Sequence, residues 1–213
     1  MIYLCAGLYA EGSSDYRFLS PLVSRLLDAV GARLFPSECE VAETVGIDAP
    51  WVKSGRADRF MAAVGRDGEG CTLFVVHTDG AGDPRKAREN NVVPSRQALL
   101  ATGDERPVVA CVPVHEVEAW LLTDPEAFRT ALGDSAAPAL PPEPEREPDP
   151  KATLKRLLVE SGMRRPPERL FALFGERVRF ETLRTLPAFA AFEAEIEAAV
   201  RAVARAYGHA DHA

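Results

Sequence analysis

Apolar and polar positions along the first 125 residues switch between two periods. "IYLCAGLY" (2–9) is a continuous apolar run, as expected of a strand buried on both faces. "SSDYRFLSPLVSRLLDAVGARL" follows at once, with Phe18, Leu19, Leu22, Val23, Leu26, Leu27 and Val30 at helical spacing and Ser13 or Ser14 as its N-cap. "CEVAETV" (39–45) alternates well enough for a second strand, and "ADRFMAAVGR" belongs to a helix. "CTLFVVHTD" (71–79) is the clearest strand in the chain. "PRKARENNVVPSRQALLATG" is largely helical, with Pro94 interrupting or delaying it. "RPVVACVPVHE" (106–116) is another buried strand, and a helix runs through "EVEAWLLTDPEAFRTALG". This alternation predicts an α/β fold: an open, mainly parallel sheet with helices on both faces, spanning residues 1–133. In such sheets ligands bind at the carboxyl ends of the strands.

After Gly133 the pattern changes. Residues 134–150 form a loop, because "PALPPEPEREPDP" is too rich in proline and acid to be a core element. A helical extension over 151–207 packs on the sheet domain. Its last helix carries Phe189, Phe192, Ile196, Ala199, Val200 and Val203 along one stripe, which predicts core packing. The terminal "GHADHA" reads as a frayed end.

Composition narrows the class. Hydrophobic content of 46% and charged content of 27% are ordinary for a globular protein. No segment approaches the roughly 20 apolar residues that span a bilayer, and the N-terminus lacks the basic region of a signal peptide. The expectation is a cytoplasmic protein with no membrane partner. The four cysteines agree: Cys5, Cys71 and Cys111 lie in predicted strands, Cys39 opens another, and no zinc-like spacing links them. Net charge is −7, whereas stand-alone nucleic-acid binders are usually basic. Affinity for nucleic acid would have to come from a local patch, a metal or a partner. Local basic stretches occur at 84–88 ("PRKAR"), at 163–169 ("MRRPPER") and around Arg177, Arg179 and Arg184; each taken alone reads as a solvated helix face.

Acids gather at the strand ends. Glu11 and Asp15 flank the turn from the first strand into its helix, Asp79 ends the strand 71–79 with Asp83 just beyond, and Glu116 and Glu118 follow the strand 106–114. Three strands thus deliver carboxylates to one edge. Without a cation between them such groups repel and shift each other's pKa. Hard oxygen donors of this kind suit Mg²⁺ or Mn²⁺. The plainer reading is that Glu11 and Asp15 serve helix capping and the macrodipole, with Asp79 in a turn. His77 and His115 stand beside the acids, either holding them in place or as strand-end histidines without chemistry.

The "EGSSD" turn and the Asp at the tip of a later buried strand resemble the Toprim domain, the catalytic module of primases, topoisomerases and overcoming-lysogenization-defect nucleases. More closely, "AEGSSDYRFL", "VVHTDG", "VPVHEVEAWLLTDPEAF", "DPKATLKRLL" and "LRTLPAFAAFEAEI" resemble, in that order, a bacterial family known as domain of unknown function 4276. The resemblance runs over nearly the whole chain, and "EAWLLTDPEAF" and "LPAFAAFE" are its most specific pieces.

The resemblance implies a Toprim-like fold and metal-dependent phosphodiester hydrolysis. Glu11 matches the Toprim glutamate, a general base or acid and metal ligand. Asp15 matches an acid one helical turn later, Asp79 the first aspartate of an Asp-x-Asp pair, and Glu118 the remaining acid. The second aspartate is missing, because residue 81 is alanine; Asp83 is the candidate substitute, in a "GAGD" loop flexible enough to bring it in. The expected catalytic set is Glu11, Asp79 and Glu118, and the expected metal set adds Asp15 and Asp83. Arg85 and Arg88, just past the loop, are candidates for the scissile phosphate. Tyr16 is the nearest tyrosine, but its place on a helix after Asp15 reads as packing, which favours hydrolysis over a topoisomerase-type nucleophile. The implied role is a nuclease effector of anti-phage defence, working with an ABC- or AAA-type ATPase encoded alongside. Two alternatives stand beside it: a non-catalytic Toprim-like subunit, degenerate at Ala81, and a metal-dependent hydrolase of nucleotides or phosphorylated small molecules.

Overall fold

Parallel pairing organises every strand of the computed structural model, which describes residues 1–48, 55–132, 138–163 and 169–209. The expected boundary at Gly133, the first residues of the Pro/acid-rich loop, most of the 163–169 basic stretch and the last four residues lie outside the described residues. Ile2–Leu4 (β1) pairs with Cys39–Val41 (β3). Ala6–Tyr9 (β2) lies between Val45–Gly46 (β4) and Leu73–His77 (β5), and β5 pairs with Val108–Cys111 (β6), giving the order β4-β2-β5-β6. The apolar run 2–9 is therefore two strands. It breaks at Cys5, whose N–H donates to the Thr72 hydroxyl (3.0 Å) while its carbonyl accepts from Thr72 N–H (2.8 Å). The run 39–45 likewise splits into β3 and β4.

β5 is buried at all five positions and flanked on both sides, as its unbroken apolar run requires. Ser13–Leu34 (α1) covers one face through the stripe from Phe18 to Val30. Arg56–Asp67 (α2) and Val93–Ala101 (α4) cover the other, where Phe60 and Leu99 pack with Tyr9, Phe74 and Val76. Burial of each such side chain stabilises by about 1.5–3 kcal/mol. Pro84–Ala87 (α3) leads into a π-helical turn, Arg88–Val92, just ahead of α4. Pro94 accounts for the wide turn: it has no N–H to offer an i−4 carbonyl, so the register opens before regular helix resumes. Glu118–Leu121 (α5) and Pro125–Ala131 (α6) follow β6.

The tail is fastened by specific contacts. Pro150–Glu160 (α7) follows the Pro/acid-rich stretch, and Leu170–Arg177 (α8) packs on α1 so tightly that a Cβ on Gly175 would lie 2.2 Å from the Phe18 carbonyl oxygen. Arg25 donates to the carbonyls of Gly175 (2.7 Å) and Val178 (2.9 Å) across the same contact. Beyond the short helix Phe180–Leu183 (α9), Pro187–Ala206 (α10) runs along the outer edge of β6, and its predicted stripe is buried. Glu195 of α10 accepts from the otherwise open Ala110 N–H of β6 (3.1 Å).

The Pro/acid-rich stretch does enter the core, contrary to its composition. Pro144–Arg146 forms a 3-10 turn in which Pro144 and Glu145 are buried. The Glu145 carboxylate accepts from Trp120 Nε1 (3.4 Å) and from Ala188 N–H (3.2 Å), so it caps the start of α10. Burial pushes its pKa up. Among the described residues, no helix is long and apolar enough to cross a membrane.

Candidate functional site

β2, β5 and β6 are adjacent and parallel, so their carboxyl ends open onto one edge. His77, the last residue of β5, sits at its centre and is fully buried. Its Nδ1 is 3.1 Å from the Cys111 carbonyl oxygen. Its Nε2 has no hydrogen-bond partner but lies 3.5 Å from Asp79 Oδ1 and 3.7 Å from Asp15 Oδ2. Burial works against the charged ring, yet Asp79, Cys111 and Asp15 together outweigh it and hold the His77 pKa well above its usual value.

Asp15 reaches this point from the first turn of α1. Its Oδ2 accepts the Gly12 N–H at 2.8 Å, the carboxylate half of a capping box. Gly12 is therefore the N-cap, rather than Ser13 or Ser14. Asp15 both caps the helix and faces His77. Glu11 accepts from the Thr78 hydroxyl (2.9 Å) and from Arg56 Nη1 (2.5 Å). Arg56, at the start of α2, also donates to the His77 carbonyl. The π turn presents Asn91, whose Nδ2 donates to Thr78 Oγ1 at 3.2 Å.

Glu118 completes the edge from β6. It is 3% exposed, and burial pushes its pKa up, with Glu116 and Asp15 adding to the rise and Lys151 opposing it. Lys151, in the first turn of α7, holds its Nζ 3.8 Å from Glu118 Oε1, and its backbone N–H donates to Glu116 at 3.3 Å. The Lys151 pKa is raised, first by Glu118 and then, against some desolvation, by Glu116, Asp15 and Asp79. One ammonium thus feels four carboxylates brought in by three segments.

The carboxylate oxygens are donors of the kind that suits Mg²⁺ or Mn²⁺, whereas the raised pKa of His77 makes its ring a cationic neighbour of Asp79 and Asp15 and not a ligand. Among the described residues, however, no three Asp, Glu, His or Cys side chains are gathered closely enough to enclose an ion. The oxygens are instead engaged one by one, Glu11 by Arg56, Asp15 by Gly12 N–H and Glu118 by Lys151.

Residues 10–197 match the family Domain of unknown function (DUF4276). The chain belongs to this family. No curated protein matches it. Among solved structures, it is similar to the C-terminal region of the Xanthomonas campestris pv. campestris OLD protein, at 15% identity over 96% of this chain and 98% of that one, with a TM-score of 0.42. A likeness at that level does not extend to residues or activity.

The remaining candidates of the DUF4276 chain have other partners, apart from the exposed Arg85. Asp83 caps α3, accepting from Lys86 N–H at 3.0 Å. The loop before it is pinned, not loose: Ala81 N–H bonds the His115 carbonyl (3.2 Å), Gly82 N–H the Val114 carbonyl (2.8 Å), and a Cβ on Gly80 would lie 2.1 Å from the Pro113 carbonyl oxygen. Arg85 is exposed on α3, while Arg88 pairs with Glu195 of α10. The Tyr16 hydroxyl donates to Ile47 O (2.7 Å) and accepts from Ala10 N–H (3.1 Å), which is a packing role. Sequence reasoning missed Arg56 and Lys151. Arg56 carried no local signal, since it pairs across 45 positions. Lys151 did carry one, lying inside the DUF4276-like "DPKATLKRLL" stretch.

Proposed function

We propose that this DUF4276 protein is a Toprim-like, metal-dependent phosphodiesterase: a nuclease, acting as the effector of an anti-phage system beside an ABC- or AAA-type ATPase. The observation that carries this reading is that Asp15 and Asp79 flank the buried His77 while Glu116 and Glu118 meet Lys151, all at the carboxyl edge of one parallel sheet. Asp15, Asp79 and Glu118 would hold Mg²⁺ or Mn²⁺, with Glu11 beside them. When bound, the ion supplies a more acidic water and charge relief on the leaving oxygen.

The chain's own groups do the rest. His77 fixes Asp79 and Asp15 from behind by charge, and Thr78 and Arg56 orient Glu11 to take or return a proton. The exposed Lys151 ammonium, 3.8 Å from Glu118, is free to turn toward a phosphate oxygen once the acids are otherwise neutralised. Arg85 offers a second, exposed cation for the neighbouring phosphate.

A second reading keeps its place because of one observation. With Arg56 and Lys151 already on the acids and no three ligands gathered among the described residues, the edge also fits a non-catalytic subunit that binds the ATPase. A cleavage panel separates the two. Wild type, Glu11→Ala and Asp79→Ala are incubated with DNA, RNA and tRNA in Mg²⁺ or Mn²⁺, alone and with the encoded ATPase. The nuclease reading expects cleavage by wild type, none in EDTA and none by either variant. Inert wild type under every condition, with a stable complex to the ATPase, makes it a binding subunit.

A further inference from the structure

Beside the acid edge, α7 and α8 enclose a cavity of about 180 Å³ that the chemistry above does not use. Its walls are Leu154, Leu158 and Val159 of α7, with Met163 and Phe171 opposite. Val159 is 45% exposed, so this apolar surface is open to solvent and not sealed into the core. Lys151 and Lys155, one turn apart on α7, form the rim, and no acid lines it among the described residues. Lys155 has no ion-pair partner among the described residues, in contrast to Arg156, which pairs with Glu160. The volume is below the roughly 300–1,000 Å³ typical of sites for whole drug-sized ligands. It suits one planar ring system, with the Phe171 ring in its lining and a cationic rim for an attached phosphate.

We infer that this cavity receives one unstacked nucleobase of the strand whose phosphate lies at Lys151. The inference rests on the nuclease reading for the identity of the strand. Lys151 ties the two places together: it lines the cavity, and its Nζ stands 3.8 Å from Glu118. A base held there fixes the register of the strand, so that the phosphate beside it meets the acids. Sequence-tolerant stacking on Phe171 makes the pocket select single-stranded or locally opened nucleic acid.

Binding without divalent metal tests the pocket independently of cleavage. Fluorescein-labelled dodecamers of deoxythymidine, and their RNA counterparts, are prepared intact and fully abasic, so that no shift of register can seat a base. Anisotropy in EDTA then gives the affinity of wild type, Phe171→Ala and Val159→Asp. Val159 is exposed, so its variant folds even if Phe171→Ala does not. The expected result is a loss of about tenfold on removing the bases, which corresponds to one base–aromatic stack, and equal affinity for intact and abasic strands in both variants. Wild type that binds every abasic strand as tightly as the intact one overturns the inference, as does a folded Val159→Asp that keeps the discrimination. If wild type discriminates the abasic strand yet hydrolyses nothing, the pocket stands and the nuclease reading fails.

Discussion

Ala81 adopts φ +46°, in the left-handed region, although it is not glycine. For an L-residue other than Gly, Asn or Asp this conformation costs roughly 1–2 kcal/mol. Its N–H bond to His115 and the close packing of Gly80 on Pro113 hold the loop in that shape. Ala81→Asn should therefore recover up to about 1 kcal/mol, because a short polar side chain tolerates this backbone. For a chain of this size the gain appears as about 2–4 °C in Tm. Ala81→Asp has the same backbone preference but adds a charge two positions from Asp79, so its gain in EDTA is smaller. In Mg²⁺ or Mn²⁺ the order reverses if residue 81 marks a missing ligand. A tenfold tighter site, at metal far above Kd, adds about 1.4 kcal/mol, or roughly 3–5 °C beyond the metal-induced shift of wild type. Circular-dichroism melts of wild type, Ala81→Asn and Ala81→Asp, in EDTA and across a metal series, read both effects. The reasoning is refuted if Ala81→Asn melts below wild type, which would mean that the loop is not strained. It is also refuted if Ala81→Asp shows no added metal shift while wild type already cleaves at full rate.

Other expectations follow from the same contacts. Burial raises the pKa of Glu118, so its contribution to stability is full below the unfolded value of about 4.3 and is lost as pH rises through the folded value; in EDTA, Glu118→Gln should match wild type near pH 4 and exceed it at pH 8 in urea titrations. Lys151→Met should fold normally, because the side chain is 66% exposed, yet lower cleavage by about 10²-fold or more; unchanged turnover would remove Lys151 from the chemistry. The buried Asp124 caps α6 and takes a forked bond from Arg179 (2.6 and 2.9 Å), which holds its pKa down against burial. Asp124→Ala should cost about 2–4 kcal/mol, and a Tm within 2 °C of wild type would show that the tail is not fastened there.

The parallel α/β core was legible because its signals are periodic and local. β5 is an apolar run with no alternative fate, and the α10 stripe buries the residues its spacing picked out. Less local features escaped. The break at Cys5 depends on Thr72, 67 residues away, and Glu145 lies buried in a stretch whose composition reads as solvent-facing loop. At the candidate site, the strand-end positions of Glu11, Asp79 and Glu118 followed from the topology. The cations set against them did not, since Arg56 and Lys151 arrive from distant helices. Asp83 reads as a spare acid in sequence, but its position just before Pro84 also makes it an N-cap, and the structure uses it so.

Mn²⁺ binding to the free protein tests the central claim most directly. Electron paramagnetic resonance counts the Mn²⁺ bound to wild type, Glu11→Ala and Asp79→Ala at equal concentration. One or two ions on wild type, displaced by Mg²⁺ and absent or much weakened in Asp79→Ala, are what the acid edge predicts. Wild type that binds no Mn²⁺ even with an oligonucleotide present, or Asp79→Ala that binds it undiminished, would contradict a metal-dependent site at the carboxyl ends of these strands.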